Sequence, residues 1–468
     1  MNRRDFIRST AVVAGSLAFA GISNANVQKK PNVLIIMTDQ QFAGAMSCAG
    51  NPYLNTPAMD KITKRGIRFE KAYTSNPLCV PSRCHMFTGV QGEEKRRNLS
   101  SYECIGLTLK NAGYDTGYTG KWHISVPLKN KEWSGFDFQE FTHGGKTDRK
   151  IAEPCGEFIT QKRDKPFFLV ASFHNPHDIC SFARVVSGNY VEREYNPETE
   201  EYYNGFIGKV PDAKDCPPLP KNFHLPDAES EVIRLHQRES PNASSVFPTV
   251  NWKDNGKWRQ YLWAYYRMCE LVDKEIAKIL NALEQGNKLN DTVIIFTADH
   301  GDGMGSHQWN QKQLFYDETA RIPFMISQPG TLPQNKVDKT TLVNTGIDIA
   351  TTVLNIAGIK PDSKYFGQPL YDICKGTSDR THDFIVSETR LQAKDKLILG
   401  RMVRTAQYKY VVFDHGQNPE MLFDMENDPG EMKNLAVRQE YSKELMQHRS
   451  LLGKWLKQNG DNFKIPAY

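Results

Sequence analysis

Two stretches decide the fold: Val33-Leu34-Ile35-Ile36-Met37-Thr38-Asp39 and Val293-Ile294-Ile295-Phe296-Thr297-Ala298-Asp299. Each is a short apolar run rich in β-branched residues, without the polar alternation of a strand that faces water on one side, and each ends at an aspartate. Such runs read as strands buried on both faces of a parallel-type sheet. A third run, residues 167–173, is closed by His174-Asn175-Pro176-His177. Ahead of the second run, Met268, Leu271, Val272, Ile276, Ile279 and Leu283 recur at helical spacing, which predicts a helix laid along the sheet. Strands alternating with helices give an α/β layer fold. Ligands in such sheets bind at the carboxyl ends of the strands, so Asp39, His177 and Asp299, each directly after a strand, are expected to meet.

Working outward, residues 179–257 are rich in Pro, Asn, Asp and Glu with little periodicity, and read as a long surface insertion shaping a pocket rim. Beyond residue 383 the pattern changes to Phe384-Ile385-Val386, Met402-Val403-Arg404 and an apolar run at 408–413, followed by a helical tail at 441–456. This predicts a smaller α+β subdomain with a short antiparallel sheet. The expected division is 1–25, 26–383 and 384–468.

The N-terminus carries Arg3-Arg4 and then an apolar stretch over 11–22, ending in Ser23-Asn24-Ala25. This resembles a twin-arginine export signal, and with its glycines, serine and threonine it is too short and too polar for a lasting transmembrane helix. A periplasmic protein without stable membrane insertion is expected. The net charge of +5 is too weak a bias for nucleic acid. Nine cysteines leave at least one thiol unpaired, and spacing does not assign disulfides among the rest.

The decisive chemistry lies in Cys79-Val80-Pro81-Ser82-Arg83, which matches the C-x-P-S-R signature of sulfatases. Asp39-Gln40, Gly120-Lys121-Trp122-His123, Pro176-His177, Asp299-His300-Gly301, Lys312 and Asp428-Pro429-Gly430-Glu431 follow in the family's order and span nearly the whole chain. The sequence therefore resembles the formylglycine-dependent sulfatases of the alkaline phosphatase superfamily, a resemblance that implies a large domain with a mixed, mainly parallel sheet between helices. It also implies that Cys79 is converted by a formylglycine-generating enzyme to an aldehyde. Hydrated, this presents one hydroxyl to attack sulfur and a second to expel sulfate afterwards.

By the same resemblance, Arg83, Lys121 and Lys312 supply positive charge around the sulfate and the hydrated aldehyde. His177 protonates the leaving alcohol, and His123 assists sulfate release. Asp39, Gln40, the modified Cys79, Asp299 and His300 hold one calcium ion. Gln40 stands where many family members have a second aspartate, and His300 where asparagine is common, so the metal's presence is implied more firmly than its identity. The implied substrate is a sulfated saccharide. Arg390, Arg401 and Arg404 are candidates to reach a uronate or a second sulfate. Two other readings stay open: a formylglycine-dependent phosphate or phosphonate ester hydrolase, and a non-catalytic protein that binds sulfated glycans.

Overall fold

The computed structural model of the chain describes residues 30–142, 145–186, 209–239, 254–361 and 367–466. The expected export signal at 1–25 lies outside the described residues.

The eight strands of the main sheet are β1 (Asn32–Asp39), β2 (Gly66–Tyr73), β3 (Asp115–Gly120), β4 (Phe138–Phe141), β5 (Phe167–Pro176), β6 (Thr292–Ala298), β7 (Phe324–Ser327) and β8 (Lys336–Asn344). Their order is β4-β3-β5-β1-β6-β7-β2-β8. All ladders are parallel except those that β7 makes with β6 and β2, so the sheet is mixed but mainly parallel. The runs that opened the sequence reading sit at its centre. Every residue of β1, β5 and β6 is buried, as strands covered by helices on both faces must be.

One face is covered by helix Asn255–Gln285, whose Val272, Ile276, Ile279 and Leu283 pack with Leu34, Ile36, Leu169 and Phe296. Asp254 caps its start by accepting from the amides of Gly256 and Lys257 at 2.8 and 3.3 Å, which satisfies two of the donors a helix N-terminus leaves open. The opposite face packs Val33, Ile35, Met37, Phe168 and Val170 against helices Cys79–Thr88 and Thr345–Ile356.

A second, antiparallel sheet follows, formed by β9 (Ile385–Ala393), β10 (Lys396–Arg404), β11 (Tyr408–Phe413) and β12 (Glu420–Asp424) in the order β12-β11-β10-β9. Its outer face carries helix Ser442–Asn459 through Leu445, Leu452 and Leu456. The inner face, with Met402, Val411 and Phe423, packs on Tyr73, Trp309 and Phe315 of the main body. The expected surface insertion needs correction. Helix Ile179–Val186 buries Ile179 and Phe182, and helix Glu231–Glu239 buries Val232 and Ile233 against the second sheet. Both are single-face amphipathic helices of two or three turns, too short to stand out among the polar residues around them. Residues 187–208 and 240–253 lie outside the described part. No helix among the described residues is long and apolar enough to cross a membrane.

Candidate active site

Cys79 is the first residue of helix Cys79–Thr88, behind an extended Leu78. Pro81 is accommodated because the first helical turn has no intrahelical partner for its amide anyway. Arg83 is one turn further on and shares a helix face with Cys79. Ser82 Oγ donates to the carbonyl oxygen of Asp299 at 2.7 Å, tying the helix to the end of β6. The spacing of the motif thus places one residue at the helix end and two that anchor it to the sheet.

Arg83 is fully buried. Its Nε donates to Asp299 Oδ2 at 2.7 Å and its Nη2 to Asp39 Oδ2 at 3.0 Å, while Nη1 donates to Lys121 O and Ser172 Oγ, both at 2.8 Å. The guanidinium therefore clamps two strand-end carboxylates together. Four of its five N–H groups point to protein acceptors, so its charge is fixed behind the two aspartates it holds.

The clamp leaves a compact group behind it. Cys79 Sγ lies 3.1 Å from His300 Nε2, 3.1 Å from Lys312 Nζ and 3.9 Å from Asp39 Oδ1. His300 Nε2 is 3.9 Å from Asp39 Oδ1 and 3.6 Å from Asp299 Oδ1. One ligand atom from each of Asp39, Cys79, Asp299 and His300 falls within 4.8 Å of the other three. The remaining nitrogen of His300, Nδ1, sits 2.9 Å from Gly301 O. Only a protonated Nδ1 can donate there, so it is Nε2 that faces the group, the orientation a metal ligand needs. Asp39 binds Arg83 and Lys121 Nζ (2.5 Å) through Oδ2, so Oδ1 faces the cluster. These donors fit a small cation.

The electrostatics favour an anion at position 79. Burial and Asp39 push the Cys79 thiol up, but Lys312, Lys121 and His300 outweigh them and hold it well below its usual range. Burial likewise opposes ionisation of Asp39, yet Lys121, His177, Arg83 and His300 keep its carboxyl well below the ordinary value. Position at a helix N-terminus acts in the same direction on Cys79.

Gln40 is held as tightly as the charged groups. Its amide nitrogen donates to the buried Asp302 at 2.7 Å, its side-chain oxygen accepts from Lys312 at 3.1 Å, and its carbonyl accepts from Tyr265 at 2.6 Å. Asp302 also accepts from Tyr261 and from the amides of Met304 and Gln311. Gln40, His123, Gln311 and Gln313 all have left-handed φ, at 67°, 50°, 76° and 76°. Such conformations cost non-glycine residues on the order of 1 kcal/mol or more each and persist where surroundings over-determine them. Gly120 (φ 94°) solves a different problem, since a Cβ there would lie 1.9 Å from Ser172 O. Its absence lets the chain turn from β3 into Lys121, whose carbonyl Arg83 holds.

A family model described as Sulfatase matches residues 31–359, and one described as N-sulphoglucosamine sulphohydrolase, C-terminal, matches residues 305–458. The chain belongs to the sulfatase family. This sulfatase is 29% identical over 474 residues to a Delta 4,5-hexuronate-2-O-sulfatase of Bacteroides thetaiotaomicron, covering 96% of this chain and 93% of that protein. It is 26% identical to an N-acetylglucosamine-6-O-sulfatase of the same organism, covering 96% and 90%. The solved structure of a 2-O GAG sulfatase superposes with a TM-score of 0.80 at 26% identity, covering 94% and 95%. A phosphonate monoester hydrolase of Agrobacterium radiobacter shares the fold, with a TM-score of 0.70 at 21% identity over 92% and 96% of the two chains.

The other expected residues fall in several places in this sulfatase. His177 follows β5 and hydrogen-bonds Cys79; burial lowers it to about 4, helped by Lys312 and Lys121 and opposed by Asp39. Its strand end is fixed by Asp148, which accepts from the amides of His174 and Asn175 at 2.7 and 2.9 Å. His123 is exposed two residues beyond Lys121, and no side-chain hydrogen bond joins it to the cluster among the described residues. Arg401 and Arg404 are not free to reach a saccharide: Arg401 is bidentate on Asp461, and Arg404 donates to Tyr73 Oη and Thr405 O. Arg390 pairs with Glu93. All nine cysteines are free thiols. Sequence reasoning missed Asp302, Ser172 and Tyr261. Only Asp302 carried a local signal, as the second aspartate of Asp299-His300-Gly301-Asp302.

Proposed function

We propose that this sulfatase hydrolyses a sulfate ester of a sulfated glycan in the periplasm, with Cys79 matured to formylglycine and one calcium ion held by Asp39, Gln40, Cys79, Asp299 and His300. The observation that carries the reading is the convergence of His300, Lys312 and Asp39 on Cys79, with Arg83 locking the two aspartates behind it. The thiol marks where the oxygens of formylglycine would stand. Support for a glycan comes from the two Bacteroides relatives, whose names specify a hexuronate and an N-acetylglucosamine sulfate.

Hydrated formylglycine supplies two hydroxyls on one carbon, one to form the bond to sulfur as the ester S–O bond breaks, the other to regenerate the aldehyde and release sulfate. Calcium, when bound, supplies Lewis-acid polarisation of sulfate oxygens, and an oxygen-rich donor set suits it. The chain does the rest. Lys121 and Lys312 place fixed charge at the reacting centre, where charge moves in the transition state. His177 gains affinity for a proton from the negative charge of a bound sulfate beside it and hands that proton to the departing alcohol oxygen. His123, on the solvent side of Lys121, is assigned to sulfate release. Arg83 acts by positioning.

Paired p-nitrophenyl sulfate, phosphate and phenylphosphonate esters test the reaction class. The sulfate ester is expected to have the highest kcat/KM by at least tenfold, and a preference for either phosphorus ester would replace this reading with the phosphate or phosphonate one.

A further inference from the structure

Gln40, the residue after β1, is buried, and its side-chain amide lies between two groups of opposite kind. Nε2 donates to Asp302 Oδ2 at 2.7 Å, and Oε1 accepts from Lys312 Nζ at 3.1 Å. An amide has one donor end and one acceptor end, whereas a carboxylate only accepts and an ammonium only donates. Turning the amide over would therefore replace both hydrogen bonds by repulsive contacts. The orientation is forced at both ends, and it leaves the oxygen on the side of Lys312, whose Nζ is also 3.1 Å from Cys79 Sγ.

Of the two groups that force it, Asp302 is the anchor. Four donors converge on this buried carboxylate: the Met304 amide at 2.9 Å from Oδ1, the Gln311 amide at 3.2 Å and Gln40 Nε2 at 2.7 Å from Oδ2, and Tyr261 Oη at 3.0 and 2.9 Å from the two oxygens. Tyr261 belongs to helix Asn255–Gln285, so Asp302 is gripped both by its own loop and by the helix that covers the sheet. Lys312 is a half-buried, flexible side chain that divides its ammonium between Gln40 and Cys79. It follows the amide oxygen and does not direct it.

We propose that Asp302 is a positioning residue for the cation site: it holds the Gln40 amide with its oxygen, and not its nitrogen, toward Lys312 and Cys79, and so decides whether Gln40 serves as a ligand. The proposal rests on the calcium reading above. It also makes positions 40 and 302 a complementary pair. Gln40→Glu alone would set a second carboxylate against Asp302 where the 2.7 Å hydrogen bond now stands. Combined with Asp302→Asn, it would regain that bond with donor and acceptor exchanged.

The test titrates calcium chloride calorimetrically into mature, metal-free wild type, Asp302→Asn, Gln40→Glu and the double variant, with thermal unfolding of each metal-free protein as the check on fold. In Asp302→Asn the new amide keeps its oxygen on the shorter Met304 contact and turns its nitrogen to Gln40, which reverses in response. The calcium Kd should rise about 10- to 100-fold, the scale of one hydrogen bond to a charged group. Gln40→Glu adds a negative charge, which by itself tightens calcium binding, yet this variant should bind no more tightly than wild type because Asp302 repels the new carboxylate. It leaves Asp302 and its loop in place, so its result stands whether or not Asp302→Asn folds. The double variant should return to within about threefold of wild type, where a purely structural Asp302 predicts that the effects add. Wild-type affinity in Asp302→Asn, additive effects in the double variant, or a Gln40→Glu protein that binds calcium more than about tenfold more tightly than wild type would overturn the role and leave the calcium site standing. A wild-type protein that binds no calcium would remove the calcium reading, and this role with it.

Discussion

Arg83 and His177 show how far a residue's type prescribes its task. An arginine four residues after Cys79 was legible as part of the site, but its direction was not, because the acceptors it meets, Asp39, Asp299, Ser172 and Lys121 O, come from four distant segments. His177 was legible as a group after a strand, and burial, with Lys312 and Lys121 nearby, holds it down at about 4. If it supplies a proton to the leaving oxygen, it matters most where the alcohol is a poor leaving group. His177→Ala should lower kcat on a sugar sulfate by roughly two to four orders of magnitude, the usual range for a general acid. The loss on p-nitrophenyl sulfate, whose phenolate departs unaided, should be much smaller. Equal losses on both substrates, measured by sulfate release, would reject the role.

At the scale of elements, the central strands were readable because burial on both faces leaves an apolar run. Strand β2, of mixed exposure, and β8, exposed over its first half, carry no such run and escaped notice, as did the four-residue β4 and β7. The Asp428-Pro429-Gly430-Glu431 motif was visible, but not its purpose. Glu431 reaches the fully buried Lys409 at 2.8 Å, Lys409 also binds Asp317, and the Asp317 amide donates to Glu431 at 2.6 Å. Lys409 lies on β11 and Asp317 in the main body, so one ammonium joins the two sheets. Glu431 is buried, and burial pushes its pKa up even with Lys409 beside it. Lys409→Met would leave the buried Glu431 without its counter-charge, while Asp317 keeps Arg321 and Tyr73, and should cost about 3–5 kcal/mol. Denaturant unfolding of the whole chain checks this, and a change under 1 kcal/mol would mean the network is not a structural tie.

For the whole molecule, the carboxyl edge of the main sheet gathers Asp39, His177 and Asp299, as an open α/β sheet requires, and the second sheet is tied to the segment before Cys79 by the Glu388 amide, which donates to Ser75 O. Exhaustive chelation should abolish turnover, and calcium should restore it better than zinc because the donors are mostly oxygen. Chelation should also lower the thermal midpoint, since an ion that binds only the folded chain stabilises it. Asp39→Ala and Asp299→Ala should lose that calcium-dependent shift. Full activity after metal removal, verified by elemental analysis, would contradict a catalytic ion.

The central claim is that Cys79 bears the nucleophile, and sulfate release by Cys79→Ala tests it most directly, in protein produced alongside a formylglycine-generating enzyme. Alanine removes one small side chain and should change stability by only about 1 kcal/mol, so the variant should unfold near the wild-type midpoint. Loss of a covalent nucleophile can cost on the order of a millionfold in turnover, and no neighbour in this pocket can both attack sulfur and expel the sulfate afterwards. The account predicts folded protein with no measurable sulfate release. A folded Cys79→Ala protein that releases sulfate at near wild-type rate would contradict it.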